Sequence, residues 1–116
     1  MKFALVFPGQ GSQSVGMMAQ YGETNVIRRT FDEASHAIGR DLWTLAADGP
    51  ADALSQTVNT QPLMLTACVA VYRLWRELGG AAPAIMAGHS LGEYSALVAA
   101  GVMQLADAVT LVELRA

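Results

Sequence analysis

The stretch AIMAGHSLGEYSALVAAG, residues 84–101, decides how this chain folds. A short apolar run ends at Gly88, a tight turn follows, and an apolar helix of small residues begins just beyond Ser90. Ser90 sits in the middle of the turn, two positions from a glycine on either side. A local explanation exists: Ser90-Leu-Gly-Glu93 fits the capping-box pattern, in which serine caps the helix and glutamate reaches back. That explanation leaves Gly92 unaccounted for, since glycine inside a first helical turn costs about 1 kcal/mol relative to alanine. It does not explain Gly88 either. A strand-to-helix elbow that thrusts the serine hydroxyl outward does require small residues two places to each side, because larger side chains would collide across the turn. The residues therefore favour a nucleophile over a cap, and one serine can serve as both.

The histidine beside that serine is a poor base. Consecutive side chains of a strand entering a turn point in different directions, so the His89 imidazole is not expected within the roughly 2.6–3.2 Å of Ser90 that proton transfer needs. His89 is read as shaping the elbow. The other histidine, His36, falls on an amphipathic helix near Glu33, where a half-exposed surface role is expected. On its residues the chain thus holds a nucleophile and no convincing base. The single cysteine, Cys68, lies in an apolar helix, which excludes a disulfide framework and predicts a buried, inert thiol.

Outward from the elbow, KFALVF (2–7) is rich in β-formers and stops at Pro8, the profile of a buried strand rather than a surface one. It leads into the glycine-rich loop PGQGSQSVG (8–16). TNVIRRTFDEASHAIG (24–39) places Val26 or Ile27, Phe31, Ala34 and Ile38 at helical spacing, with Thr24 or Asn25 as cap and Gly39 as stop. Short helical turns broken at Gly49 and Pro50 are expected over 41–56. The best-defined helix is TQPLMLTACVAVYRLWRELGG (60–80), with Thr60 near the cap, Pro62 in the first turn and Gly79 at the exit. Its first half is apolar on most sides, which predicts a path through a core. In QLADAVTLVELRA (104–116), Leu105, Ala108, Val109 and Val112 share a face.

Strand, helices, strand, turn, helix is an α/β order, a parallel sheet flanked by helices. Two strands are few for so much apolar helix surface. The sheet is therefore expected to be incomplete within this chain. Its 116 residues suffice for one small domain and are too few for two. A hydrophobic content of 53% with 15% charged residues suits a piece of a larger core. Seven basic against ten acidic residues, with Lys2 the only lysine, argue against a nucleic-acid surface. No stretch is apolar for the roughly 18 residues a membrane span needs, and Pro8 cuts the N-terminal apolar run too short for a signal peptide. The chain is read as cytoplasmic.

As a phosphate loop, GQGSQSVG is weak: it has no Gly-Lys-Ser/Thr, and Ser14 stands where a third glycine would be needed. As a loop leaving the end of a first strand it can offer a backbone N–H to an oxyanion formed at Ser90, the second N–H coming from Leu91. At this point four stretches carry a resemblance: FPGQGSQSVGM (7–17), NTQPLMLTACVAVYRLW (59–75), MAGHSLGEYSALVAAGV (86–102) and DAVTLVELRA (107–116). Together, and in this order, they resemble the bacterial malonyl-CoA:acyl carrier protein transacylases over essentially the whole chain. Polyketide-synthase acyltransferase domains share the pattern, while the start at Met1 looks like that of a stand-alone enzyme.

The resemblance implies an α/β-hydrolase-like acyltransferase that moves a malonyl group from malonyl-CoA to acyl carrier protein through a serine acyl-enzyme. By motif match Ser90 is the nucleophile, and Gln10 with Leu91 supplies the oxyanion N–H groups. Arg115 matches the arginine that clamps the malonyl carboxylate, a task suited to the planar guanidinium fork. On residues alone it reads as a charge at a fraying terminus. Gln61 is expected either to line the same pocket or to cap or hydrogen-bond within the core. The resemblance implies no cofactor, malonyl-CoA being a substrate, and no metal.

Family members are longer, and their catalytic histidine lies past residue 116. Residues 1–116 therefore look like the N-terminal part of the large subdomain, without the small ferredoxin-like subdomain and the C-terminal part. Transfer by the isolated piece is not expected, and its open edge predicts self-association or pairing with the remaining segment. Two other readings compete: a serine esterase of α/β-hydrolase type, and a binding or assembly module without chemistry.

Overall fold

In the computed structural model, which describes residues 2–21 and 24–116, two short strands lie side by side and parallel. Strand β1 (Ala4–Phe7) pairs with β2 (Ile85–Gly88) in the register Ala4 to Ile85, Leu5 to Met86, Val6 to Ala87 and Phe7 to Gly88. Both strands therefore end at the same level, and the glycine loop after β1 and the elbow after β2 leave the sheet at one edge. Ligands of open α/β sheets gather at such carboxyl ends. Helices α1 (Asn25–Ile38), α2 (Leu42–Asp48), α3 (Ala51–Leu54) and α4 (Thr57–Glu77) fill the crossover, and α5 (Leu91–Ala99) and α6 (Leu105–Arg115) follow β2. The start at Met1 lies outside the described residues.

The core is helical. Ile27, Phe31 and Ala34 of α1, Leu63, Leu65, Val69 and Ala70 of α4, and Ala108, Val109 and Val112 of α6 are all buried, and α4 packs on α1, α5 and α6. Residues 60–67 of α4 are buried without interruption, so this helix runs through the core as its apolar surround requires. The α5 helix lies on both strands, and Phe7 meets Tyr72 of α4 edge to face at 6.3 Å. Cys68 is half-buried on α4, and desolvation pushes its thiol up to about 11, as expected for an inert cysteine.

Two expectations are corrected here. The first strand is not buried on both faces: Val6 is 71% exposed, and Ile85 of β2, which pairs with Ala4, is 64% exposed. β-Forming composition shows that a strand pairs, but whether both its faces are covered depends on what packs there. The long helix starts at Thr57 rather than near Thr60, which puts Pro62 at the sixth helical position instead of in the first turn. Proline there lacks the N–H that would bond the Val58 carbonyl, normally a serious cost. Arg40 supplies the missing donor, its Nη2 lying 2.9 Å from the Val58 oxygen.

Local signals account for the helix ends. Gly39 closes α1 in the left-handed conformation at φ 69°, its N–H bonding Ser35 O. Thr24 occupies the N-cap position, but its hydroxyl bonds Tyr21 O and caps nothing. Asp41 does cap α2, accepting from the Thr44 N–H at 3.0 Å and from the Thr44 hydroxyl at 2.7 Å. Those bonds, the backbone one foremost, hold its carboxyl below the ordinary 3.8. Asp41→Ala is expected to cost about 1 kcal/mol at neutral pH. Because the folded-state value is the depressed one, that stabilisation is present above the ordinary carboxylate range and is lost as pH falls through the lowered value. Thermal unfolding of wild type and variant should show two melting temperatures that converge on acidification.

Candidate active site

Ser90 stands between β2 and α5 at φ 54°, ψ −111°, the one non-glycine with positive φ among the described residues. Such a backbone persists only where the surroundings enforce it, and the enforcing atoms are identifiable. A Cβ on Gly88 would lie 2.0 Å from the Gly92 carbonyl group, and one on Gly92 would lie 2.2 Å from the Phe7 oxygen. Gly92 N–H bonds His89 O and Glu93 N–H bonds Ser90 O, both at 3.0 Å, which closes the turn. The Ser90 side chain makes no cap hydrogen bond. The capping-box alternative thus fails at the side chain, while the two glycines do what an elbow asks of them.

The exposed hydroxyl of Ser90 meets Arg115 instead of His89: Nη2 of Arg115 donates to Ser90 Oγ at 3.3 Å. Arg115 lies on the last turn of α6, and its guanidinium rests over the Tyr94 ring, 5.3 Å from the centroid. Tyr94 follows Ser90 by four positions, one helical turn, and the sequence reading passed over it. The spacing is a signal that would have found it. His36 is exposed on α1.

The glycine loop is held against the elbow. A Cβ on Gly9 would come 3.1 Å from the His89 carbonyl oxygen. Gln10 is exposed and tied by its side chain to α4, with Nε2 donating to Thr57 Oγ1 at 3.1 Å and Oε1 accepting from Gln61 Nε2 at 3.4 Å. Gln61 is 8% exposed, and its Oε1 is buried with no partner. Leu91 is buried as the first residue of α5, where backbone N–H groups have no acceptor within the helix. The structure thus forms two groups, Ser90 with Arg115 and Tyr94, and Gln10 with Gln61. Gly9 and His89 join them. Among the described residues no set of three or more His, Cys, Asp or Glu side chains is placed to hold a metal ion, and no helix is long and apolar enough to cross a membrane.

A parallel strand pair, a Gly-X-Ser-X-Gly elbow at its carboxyl end and flanking helices define an α/β protein of the nucleophile-elbow class. Residues 4–116 match the acyl transferase domain, and the chain belongs to that family. It is 61% identical over 115 residues to the malonyl CoA-acyl carrier protein transacylase of Escherichia coli K12, covering 98% of this chain and 37% of that protein. The crystal structure of an acyl-carrier-protein S-malonyltransferase from Burkholderia pseudomallei superposes with a TM-score of 0.97 at 62% identity, over 99% of this chain and 38% of that one. A malonyl-transacylase in complex with a type II PKS acyl-carrier protein superposes with a TM-score of 0.95 at 55% identity, again over 99% and 38%. The chain therefore spans well under half the length of these relatives.

Proposed function

We propose that the protein carrying this chain moves a malonyl group from malonyl-CoA to the phosphopantetheine thiol of acyl carrier protein, through an ester on Ser90. The observation that carries this reading is the contact between an elbow serine and a guanidinium, Arg115 to Ser90 at 3.3 Å. In a malonyl ester on Oγ, the free carboxylate is separated from the bound carbonyl carbon by a single methylene. A guanidinium that reaches Oγ is therefore close enough to hold that carboxylate with paired charge-assisted bonds. A simple esterase has no use for such a cation.

In this reading Ser90 Oγ gives up its proton to a base and attacks the thioester carbonyl. The tetrahedral oxyanion is met by the backbone N–H groups of Gln10 and Leu91. The C–S bond breaks, coenzyme A leaves as its thiol on receiving the proton, and the carrier thiol repeats the attack on the serine ester. Gln61 helps to fix the Gln10 loop against α4. Neither His36 nor His89 is bonded to Ser90, so the base is assigned to a segment outside residues 1–116. These residues are then the N-terminal part of the large subdomain, and the ferredoxin-like subdomain and the rest of the sheet are supplied elsewhere in the protein. The reading carries with it a cytoplasmic location and no cofactor.

The test compares acylation by malonyl-CoA and acetyl-CoA in the whole protein with and without Arg115→Ala. Losing one bidentate charged contact is expected to cut malonyl acylation on the order of a hundredfold and acetyl acylation far less. Equal rates with both thioesters in the wild type, or equal losses in the variant, would refute the carboxylate role and favour the esterase.

A further inference from the structure

Three ion pairs join the described residues, and they are not alike. Arg29–Glu77 at 4.0 Å and Arg73–Glu33 at 3.3 Å have well-exposed side chains. Arg40–Glu113 is the closest at 2.7 Å, with side chains only 32% and 29% exposed, and it ties positions 73 residues apart. Arg40 sits at the α1–α2 junction and bonds two helices at once. Its Nη1 donates to Asn59 Oδ1 and its Nη2 to Val58 O, both at the start of α4, and Nη2 also donates to Glu113 on α6. Asn59 in turn donates to Ala53 O at 2.9 Å, so the pair is anchored in the α3–α4 corner.

What the pair anchors is the last turn of α6. Helix ends fray unless tied down; here Leu111 is 44% exposed and Leu114 79%, Val112 is the buried contact, and Arg115 itself reaches only the exposed Ser90 hydroxyl and the Tyr94 ring. Arg115 lies two residues beyond Glu113, about 200° further round the helix. Any rotation of that turn that slackens Glu113 swings the Arg115 guanidinium off Ser90. We propose that Arg40 and Glu113 are a positioning pair that fixes the last turn of α6, and with it the aim of Arg115 at an acyl group on Ser90. Selectivity for acyl groups bearing a carboxylate is thereby set in part from the α1–α2 junction, on the far side of α6 from the serine. The inference rests on the carboxylate role assigned to Arg115 above.

The experiment measures kcat and KM with malonyl-CoA and acetyl-CoA for the whole protein, its Glu113→Gln, Arg40→Met and Arg115→Ala variants, and the Arg40→Met/Glu113→Gln double variant. Glu113→Gln is expected to lower the malonyl-to-acetyl ratio of kcat/KM roughly fivefold, mainly through KM for malonyl-CoA. Arg40→Met should act in the same direction, and the double variant should be no worse than the worse single one. Arg40 also holds Val58 and Asn59, so if Arg40→Met does not fold, Glu113→Gln decides, because among the described residues the Glu113 carboxylate bonds Arg40 alone. Equal falls with both thioesters would mark the pair as merely structural and overturn the inference. A ratio that moves with Arg115→Ala and stays put with Glu113→Gln would overturn it while leaving Arg115 its role. A ratio that Arg115→Ala itself leaves unchanged would remove that role, and the inference with it.

Discussion

A Ser90→Ala variant of the protein carrying this chain is expected to take up no malonyl mass on exposure to malonyl-CoA. Its transfer should fall on the order of 10⁴-fold or more, the scale seen when an enzyme of this kind loses its nucleophile. Its stability should barely change. Were Ser90 a helix cap, alanine would cost about 1 kcal/mol, but the hydroxyl caps no N–H and accepts from Arg115 instead. The strained φ of 54° is as unfavourable for alanine as for serine, so the backbone contributes no difference either. Intact-mass and peptide mapping check the adduct, and thermal unfolding checks the stability. An adduct that persists in the variant would refute the nucleophile.

Gly92→Ala is expected to destabilise the protein by about 3 kcal/mol or more, as overpacking against an unyielding neighbour does. The sign is the informative part, because alanine for glycine inside an ordinary helix stabilises by about 1 kcal/mol. Here the added Cβ would meet the Phe7 carbonyl oxygen at 2.2 Å and its carbon at 3.0 Å, both backbone atoms that cannot turn aside. Acylation should fall with stability, since β1 and the elbow would have to separate by about an ångström, a displacement on the scale that costs roughly a hundredfold in rate. Melting curves and adduct formation on the same preparation check both effects. A variant of wild-type stability would show that the elbow does not pack on β1 as described.

The elbow was legible because its requirements are contiguous: Gly88, Ser90 and Gly92 lie within five positions, and steric rules tie them to one another. The end of α1 at Gly39 was legible for the same reason. The start of α4 was not. Pro62 argues for a first-turn position until a donor for Val58 is known, and that donor, Arg40, is 18 residues away in sequence. The exposed face of β1 escaped notice because hydrophobic content does not reveal what covers a strand. Motif resemblance, rather than any property of the residue itself, drew attention to Arg115. Tyr94 beneath it is signalled only by its four-residue spacing from Ser90, and Glu113 two positions before it carries no mark at all, since its partner Arg40 is 73 residues away in sequence.

The close approach of Gly92 to Phe7 also bears on how the two strands stay in step. Only four residues pair on each side, too few for side-chain alternation alone to fix their alignment firmly. If β2 slid by one residue, Leu91 or Glu93 would be brought toward the Phe7 carbonyl, where even a methyl group has no room. Glycine is tolerated there and its neighbours are not, so the turn that presents Ser90 also rejects a one-residue slip of the sheet in either direction, away from the alignment that places Ser90 beside the glycine loop.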